Sequence, residues 1–537
     1  MSRDVDENAP SWRTESGERR SPDESRPIAA IDIGTNSLHL VIARVRKSGS
    51  FEIVSREKEM VRLGAGSEGM KQLGATAMDR GIAALDRFRR MADAIGATIT
   101  AVATSAVREA TNRSDFVGRA RNEAGIAIDV VSGIEEARLI RLGVLQALPI
   151  YDRRHLIVDI GGGSTEIVVG HRDDEIFVRS LRLGAVRLTQ RFVADESPSR
   201  DEINALRKFV RAALAPVRRA LASSEIEIAA GSAGTIGAVA SMIAASRDPK
   251  KASNVQNGFE FSAREISEVA DRVCKARTTT ERAKIRGLEE KRADIIVAGA
   301  ILLDEIVDQL EIDRLLLSDF GLREGILLDA HERSHGSTRH HLHDVRRRSV
   351  QRLLELCDDD PRHSEEGARL ALLLFDALAS QHGLGDTERE ILEAAALLAN
   401  VGLVISHDQH HRHSYYVIRH SDHLMGFTDH EIEITAVIAR YHRKSAPRAK
   451  HAEFAALEDG DRRLVRTLAG LLRIGVALNR SRTPVVASLS CEASDSTLSL
   501  EVEARPGADL TLALYTAEER KGLLEEVLGR KIEFRAI

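Results

Sequence analysis

The sequence predicts an α/β fold in which two duplicated lobes are followed by an all-α domain and a small α+β C-terminal subdomain. Two strand–turn–strand segments, Ile28–Val45 and Leu156–Val169, share a D-I-G-x-x-S pattern in the same register. A repeat of this kind indicates a duplicated unit. Residues 350–477 carry apolar side chains at helical spacing. Strands are predicted at 485–489, 498–504, 510–515 and 531–534, with a helix at 517–529 before the last of them.

The second of these segments holds the most informative pattern in the chain. A buried strand ends at Asp159, a turn of three glycines and Ser164 follows, and Glu166 lies on the returning strand. Glycine permits both a positive φ and the close approach of a phosphate oxygen, and the N–H groups at such a tip can hold one anion. The two carboxylates offer oxygen ligands of the kind that Mg²⁺ prefers when it also binds a phosphate. The alternative is a plain hairpin turn with incidental carboxylates.

The first segment repeats this pattern near the start of the chain. Asp32, Gly34 and Ser37 stand in the matching positions, after an apolar strand and before an alternating one. Two such hairpins suggest two phosphate loops that face each other across a cleft between lobes.

Length and composition indicate a multidomain protein of the cytoplasm. The 537 residues suffice for three or four domains, and three widely spaced cysteines indicate neither a disulfide framework nor a zinc site. A net charge of −5 gives no general reason to expect a nucleic-acid partner, and no apolar run has the length of a spanning helix. We expect no membrane association, and we expect the polar residues 1–26 to be a disordered tail.

Between the two hairpins lies a candidate anion contact. A strand at Phe51–Glu57 and a helix at Ala75–Ile95 precede the segment Ile99–Ala110, a strand that runs into a hydroxyl-rich helix start. Arg108 lies in that first turn, where an arginine beside free backbone N–H groups can bind an anion. An ordinary N-cap with a surface arginine is the alternative.

Two adjacent glutamates open the next helix. After a strand at Ile126–Val131, Glu135 and Glu136 lie in the first turn of a helix that continues to Leu148. One of them could act as the general base that activates water for phosphoanhydride hydrolysis. Alternatively, both simply suit the positive end of the helix dipole. Spacing alone does not choose between the two residues.

Beyond the second hairpin, strands and helices continue to alternate. Residues 201–222 predict a helix interrupted near Pro216, and a strand at Ile226–Ala230 runs into Gly231–Thr235, a third glycine-rich anion site. The other elements expected here are a strand at 176–183, a helix at 184–193, an apolar helix at 290–307, a strand at 315–318 and a helix after residue 319.

Seven motifs follow one another in the chain: DIGTNSLHLVIARV, ATSAVREA, SGIEEARLI, DIGGGSTE, GSAGT, KRADIIVAGA and SDFGLREG. In this order they resemble the exopolyphosphatase / guanosine pentaphosphate phosphohydrolase (Ppx/GppA) family of the actin-like ATPase and sugar-kinase superfamily. The resemblance covers residues 28–330 and, more weakly, extends to about residue 480. It implies two RNase H-like lobes around an Mg²⁺-dependent site that removes the terminal phosphate from linear polyphosphate, guanosine pentaphosphate, or both.

The same resemblance implies roles for individual residues. Glu136, the second glutamate of its motif, corresponds to the general base. Asp159 and Glu166 are expected beside the metal and the attacked phosphate, with Asp32 opposite as a further metal ligand. The residues expected to bind substrate phosphates are Gly34, Thr35, Asn36, Ser37, Arg108, Gly161, Gly162, Gly163, Ser164, Gly231, Ser232, Gly234 and Thr235.

The helical region resembles the HD-phosphohydrolase-like domain of longer family members. His363 could match its first metal ligand, but the His-Asp pair is replaced by Ala399 and Asn400, and the late aspartate by Asn479. We therefore expect a degenerate domain without its own metal chemistry. The histidines of residues 407–413 form either a basic surface for a long polyphosphate or polar parts of a structural or dimer-forming domain.

The predicted boundaries are a tail at 1–26, lobes at 27–139 and 140–335, the helical domain at 336–482 and the last subdomain at 483–537. The His- and Arg-rich residues 331–349 read as a solvated linker and basic helix start, or as a metal cluster. Two other functions remain open: a kinase or ATPase of the same superfamily, or a non-catalytic polyphosphate or alarmone sensor. A homodimer is the expected assembly.

Overall fold

A computed structural model describes residues 26–45, 51–64, 71–193, 197–248, 255–335, 339–421, 423–424, 426–494 and 496–537. The predicted tail at 1–26 lies, apart from its last residue, outside this part of the chain. Among the described helices, none combines the length and the apolarity that crossing a membrane requires.

The first lobe is built on a five-stranded sheet in the order β3-β2-β1-β4-β5. Strand β1 pairs antiparallel with β2, its partner in the first glycine hairpin, and parallel with β4. The elements are β1 (Ile28–Ile33), β2 (Leu38–Val45), β3 (Phe51–Glu59), α1 (Ala75–Ile95), β4 (Thr98–Ala103), α2 (Ser105–Glu109), α3 (Arg113–Ala124) and β5 (Ile128–Val130).

The second lobe repeats this arrangement after one connecting helix. Its elements are α4 (Gly133–Ala147), β6 (His155–Ile160), β7 (Thr165–His171), β8 (Asp174–Leu181), α5 (Ala185–Phe192), α6 (Arg200–Leu221), β9 (Ile228–Ser232), α7 (Ala233–Arg247), β10 (Glu260–Ser262), α8 (Ala263–Lys275), α9 (Thr279–Ala283), α10 (Ile296–Gln309), β11 (Arg314–Leu317) and α11 (Leu322–His335). The sheet order is β10-β11-β9-β6-β7-β8, with β6 antiparallel to β7 and parallel to β9. Each glycine hairpin therefore occupies the same place in its sheet.

Helices α4 and α11 lie between the two sheets. Apolar residues of α11 and Leu139 of α4 pack on the first sheet, and Ile140 and Val144 of α4 pack on the second. The helices cross at glycines: a Cβ on Gly143 would lie 2.1 Å from the Gly321 carbonyl oxygen. The predicted boundary at residues 139 and 140 falls within α4.

The helical domain and the last strands share one hydrophobic core. The helices are α12 (Arg339–Cys357), α13 (Pro361–Ala377), α14 (Ala379–His382), α15 (Asp386–Leu397), α16 (His410–Arg419), α17 (Asp429–Arg440), α18 (Ala452–Ala455) and α19 (Asp459–Leu478). A sheet in the order β12-β13-β14 follows, made of β12 (Val486–Ala493), β13 (Thr497–Ala504) and β14 (Lys531–Ala536), with helices α20 (Thr511–Glu518) and α21 (Gly522–Leu528) before its last strand.

Several predicted elements were wrong in detail. Helix α6 continues through Pro216, whose exposed position leaves the freed carbonyl to water. Residues 510–515 read as a strand but form the start of α20, because the buried positions are Leu510, Ala513 and Ala517 and Asp509 accepts a bond from the Thr511 N–H. The apolar helix predicted at 290–307 begins only at Ile296, after a 3₁₀ turn. The described parts of the junction, residues 331–335 and 339–349, are helical and belong to α11 and α12. The rest of the predicted linker, residues 336–338, lies outside the described residues.

Candidate active site

A cavity of about 430 Å³ opens between the two lobes, and both glycine hairpins line it. From the first hairpin come Asp32 and the Gly34–Ser37 turn, and from the second come Asp159 and part of its glycine turn. The sequence-predicted residues on this lining are Asp32, Gly34, Thr35, Asn36, Ser37, Glu136, Asp159, Gly161, Gly162, Ser164, Gly234 and Thr235.

The two turns have the same backbone geometry and approach each other closely. The Gly34 N–H donates to the Ser37 carbonyl at 3.2 Å, and the Gly161 N–H donates to the Ser164 carbonyl at 3.0 Å. A Cβ built on Gly162 would lie 3.1 Å from the Thr35 Cβ, so a larger residue would require the meeting tips to move apart by a few tenths of an ångström. Together the tips form one wall of the cavity, with backbone groups contributed by both lobes.

Glu136 faces the cavity from the first turn of α4. It is 6% exposed, and Arg108 Nη1 donates to its Oε2 at 2.9 Å. Burial raises the pKa of Glu136, although the positive charge of Arg108 opposes this shift. Arg108 itself is not part of the lining and reaches the site through Glu136.

Glu135 points in another direction. Its carboxylate forms a two-fold ion pair with Arg138, at 2.8 and 2.7 Å, and accepts a bond from the Gly426 N–H of the helical domain. Successive residues of a helix project about 100° apart, so only one of the two glutamates can face the cavity. That residue is Glu136.

Three further carboxylates stand around the cavity, and of these Asp159 and Glu166 are buried and Asp32 is partly buried. Burial raises the pKa of Asp32 to about 7 and that of Asp159 to about 6, and the neighbouring carboxylates add to both shifts. The pKa of Glu166 lies well above its ordinary value for the same reasons. Ser180 donates to Glu166 Oε1 at 2.7 Å, whereas Oε2 is buried without a hydrogen-bond partner. Such a group of carboxylates attracts cations strongly when ionised.

Some of the predicted phosphate contacts lie behind the lining. Ser232 donates to Asp159, and the Gly163 carbonyl accepts a bond from Arg187 at 2.7 Å. Gly231 is packed against side chains of the second lobe. Glu166, which pairs with Asp159 across β6 and β7, is also absent from the cavity lining. The third turn still contributes Gly234 and Thr235.

Sequence reasoning missed a group of four basic side chains on the cavity lining, called the basic wall below. Arg56 and Lys58 of β3, Arg292 before α10 and Arg323 of α11 all line the cavity. Burial lowers the pKa of Lys58 and of Arg292, and the other cations contribute to the lowering for Lys58. Arg292 and Arg323 lie within two of the quoted motifs, and Arg56 and Lys58 alternate on one face of a strand; these were the available signals.

His39 is a second residue that the sequence did not single out. Its Nε2 lies 2.8 Å from Ser37 Oγ, and burial together with Arg323, Lys58 and Arg292 lowers its pKa to about 3. The imidazole is therefore neutral at physiological pH and orients the hydroxyl of the first phosphate turn.

Replacing Asp32 with asparagine is expected to stabilise the metal-free protein at pH 7.5 but not at pH 4. A carboxyl whose pKa rises from 3.8 to about 7 on folding favours the folded state at low pH, and this contribution is lost as the pH rises towards 7. The free energy of unfolding in urea with EDTA, measured at both pH values, tests this. Asp86→Asn, an exposed change on α1, is the control; an equal gain for Asp32→Asn at both pH values would contradict the expectation.

Several residues of the site could hold a metal ion together with phosphate. Within the described ranges, no three His, Cys, Asp or Glu side chains converge closely enough to form a metal site by themselves. The carboxylates instead stand around a cavity whose lining also carries four cationic side chains. This arrangement can bind a polyanion, neutralise its charge and present one carboxylate to a reacting phosphorus.

Comparison with known proteins supports the same chemistry. Residues 41–334 match the Ppx/GppA phosphatase family, and residues 345–518 match domain III of Ppx/GppA phosphatases. The chain is 29% identical over 483 residues to a guanosine-5'-triphosphate,3'-diphosphate pyrophosphatase of Pseudoalteromonas translucida, covering 88% of this chain and 92% of the relative.

Solved structures resemble a little over half of the chain. An exopolyphosphatase from Cytophaga hutchinsonii is 30% identical, with a TM-score of 0.53, and the match covers 57% of this chain and 98% of that protein. A Ppx/GppA family member from Aquifex aeolicus is 29% identical, with a TM-score of 0.49 and coverage of 58% and 99%.

Proposed function

The chain belongs to the Ppx/GppA phosphatase family, and from this premise we propose that it hydrolyses the terminal phosphoanhydride of linear inorganic polyphosphate. The 5'-phosphate of guanosine pentaphosphate presents the same bond, and the proposal includes it as a second substrate. The observation that carries the proposal is one cavity lined by two glycine turns, Glu136 and four cationic side chains.

The chain's own groups account for binding and charge neutralisation. The N–H groups of the two turns offer donors to the terminal phosphate, and the basic wall offers positive charge to the phosphates behind it. Because phosphoryl transfer passes through a loose transition state, the protein contributes mainly by positioning the reactants and by stabilising charge. Both lobes line the cavity, so closure of the cleft between them would also exclude bulk water.

Glu136 is the group suited to act on water. Its carboxylate lies on the cavity surface, and its raised pKa makes it a better proton acceptor than an exposed glutamate. The Arg108 guanidinium holds the carboxylate by its Oε2 and stabilises the ionised form that a base requires. In this mechanism Glu136 orients one water towards the terminal phosphorus and takes its proton as the P–O bond to the leaving phosphate breaks.

Mg²⁺ fits the donor set of the site. Asp32 and Asp159 face the cavity, and Glu166 has a buried oxygen without a hydrogen-bond partner. Mg²⁺ is usually held by one or two carboxylates together with substrate phosphates and water, so a closed cage of protein ligands is unnecessary. When bound, it would supply further charge for the phosphoryl oxygens.

Phosphate release from long-chain polyphosphate and from guanosine pentaphosphate, measured side by side, tests this function. We expect release from either substrate with Mg²⁺ and its loss with EDTA. Asp159→Asn is expected to lower the rate about 100-fold or more, because it removes a site carboxylate, whereas Asp152→Asn, an exposed change, retains it. Phosphate transfer from ATP to an acceptor, or binding without turnover, would favour a kinase or a sensor instead.

We also assign the helical domain a non-catalytic role as a degenerate HD-like domain. The Asn479 amide nitrogen lies 3.0 Å from His363 Nδ1 and donates to the His363 carbonyl at 2.8 Å. Asn400 donates to Ser364 Oγ at 3.2 Å. Beside His363, the candidate metal ligand, the Asn479 side chain offers an N–H donor where a metal site needs an oxygen ligand. This contact supports a domain without metal chemistry.

A further inference from the structure

The helical domain contacts the two lobes directly behind the candidate base. The Gly426 N–H donates to Glu135 Oε2 at 2.7 Å, and the Gly426 carbonyl accepts from Arg346 Nε at 2.8 Å. Gly426 has a φ of +80°, a conformation that favours glycine. One peptide unit on each side of this residue therefore connects the first turn of α4 to the interior of the helical domain.

Both ends of this connection are buried and fixed. Glu135 is 2% exposed, and its partner Arg138 is itself bound to Asp329 of α11. On the other side Arg346 is 4% exposed and pairs with Glu431 at 2.8 Å and Glu390 at 3.1 Å. Buried charged groups held by several partners have little freedom to reorient, so the connection is stiff.

This connection restrains the turn that carries Glu136. The Glu135 N–H is bonded to the Ser132 side chain at 3.1 Å, and Glu136 is the next residue of the helix. Arg108 of α2 holds the Glu136 carboxylate itself. The position of that carboxylate is thus fixed by its own bond to Arg108 and by the contacts of the preceding residue, Glu135.

We propose that Glu135 is a positioning residue and that Gly426 and Arg346 of the helical domain act through it to hold Glu136 at its working distance from the substrate. The inference rests on the proposed function. It makes turnover depend on a domain that does not line the cavity. A misplacement of a catalytic group by about 1 Å can reduce a rate by about 100-fold, so even a partial loss of this restraint is measurable.

The test compares two arginines of the helical domain. Arg346→Gln removes the hydrogen bond to the Gly426 carbonyl and two ion pairs. Arg369→Gln removes a similar number of contacts, namely bonds to the Val486 and Ala487 carbonyls and an ion pair with Glu366. We expect Arg346→Gln to lower kcat by about 10-fold with KM changed less than about 2-fold, and Arg369→Gln to leave both unchanged. Circular dichroism and the thermal midpoint establish that each variant is folded.

A double-mutant cycle gives an independent readout. Glu135→Gln lowers kcat in the same way, and adding Arg346→Gln is expected to lower it little further, because both act through one contact. Arg346→Lys, which keeps the charge, should recover part of the loss, and it serves as the measured variant if Arg346→Gln does not fold.

The inference alone would be overturned if a folded Arg346→Gln protein kept the wild-type kcat, or if only its KM changed. It would also be overturned if the kcat losses of Glu135→Gln and Arg346→Gln multiplied in the double variant. Absence of phosphate release from the wild-type protein would instead overturn the proposed function, and the inference with it.

Discussion

Replacing Glu136 with glutamine is expected to lower kcat for phosphate release by about 1,000-fold, within the range usual for loss of a general base. The amide cannot accept a proton from water, but its oxygen can still accept the Arg108 bond that holds the wild-type side chain at 2.9 Å. Because the backbone and the basic wall are unchanged, KM should change little. Steady-state phosphate release over a range of polyphosphate concentrations measures both constants.

The matched control for this change is Glu123→Gln. Glu123 lies on the exposed side of α3 in an ion pair with Arg119 and does not line the cavity. The Glu123→Gln variant loses the same charge, and its kcat should equal that of the wild type. If Glu136→Gln also turned over at the wild-type rate, Glu136 would have no role as the base.

Replacing Gly325 with alanine is expected to cost about 3 kcal/mol or more of unfolding free energy, at the upper end for overpacking. The new Cβ would lie 1.8 Å from the Leu139 carbonyl oxygen and 2.6 Å from its carbon, and a helix backbone cannot move aside as a side chain can. Helices α4 and α11 would have to separate. Since they carry Glu136 and Arg323, kcat/KM should fall as well. Urea unfolding and phosphate release measure the two effects.

Gly118→Ala provides the opposite expectation at a similar helical site. Gly118 lies inside α3, and a Cβ there would meet nothing within 4 Å. Alanine in a helix interior should stabilise the protein by about 0.5–1 kcal/mol relative to glycine. A Gly325→Ala protein as stable as the wild type would contradict the close crossing of α4 and α11.

The paired hairpins could be predicted because their determinants are local. An apolar strand, an aspartate, a glycine turn and a hydroxyl occur twice in one register, and the structure gives both turns the same hydrogen bond between Gly34 and Ser37 and between Gly161 and Ser164. Helix α1 likewise has the bounds that its apolar spacing and Gly96 predicted. In each case the residues that define the element are neighbours in sequence.

The basic wall could not be predicted because its members meet only in the folded chain. Arg56 lies on an edge strand of the first sheet, while Arg292 and Arg323 come from the far end of the second lobe. The choice between Glu135 and Glu136 had the same difficulty. Their side chains project in directions about 100° apart, and only the contact with the helical domain shows which direction Glu135 takes.

The central claim is that both glycine turns hold the terminal phosphate while Glu136 faces its phosphorus. A crystal structure of the Glu136→Gln protein with Mg²⁺ and a short linear polyphosphate tests it most directly, because the bound chain should persist. We expect the terminal phosphate to lie within hydrogen-bond distance of N–H groups from both the Gly34–Ser37 and the Gly161–Ser164 turns. A water should lie between its phosphorus and the side chain at position 136. A chain end bound to one turn alone, or outside the cavity, would contradict it.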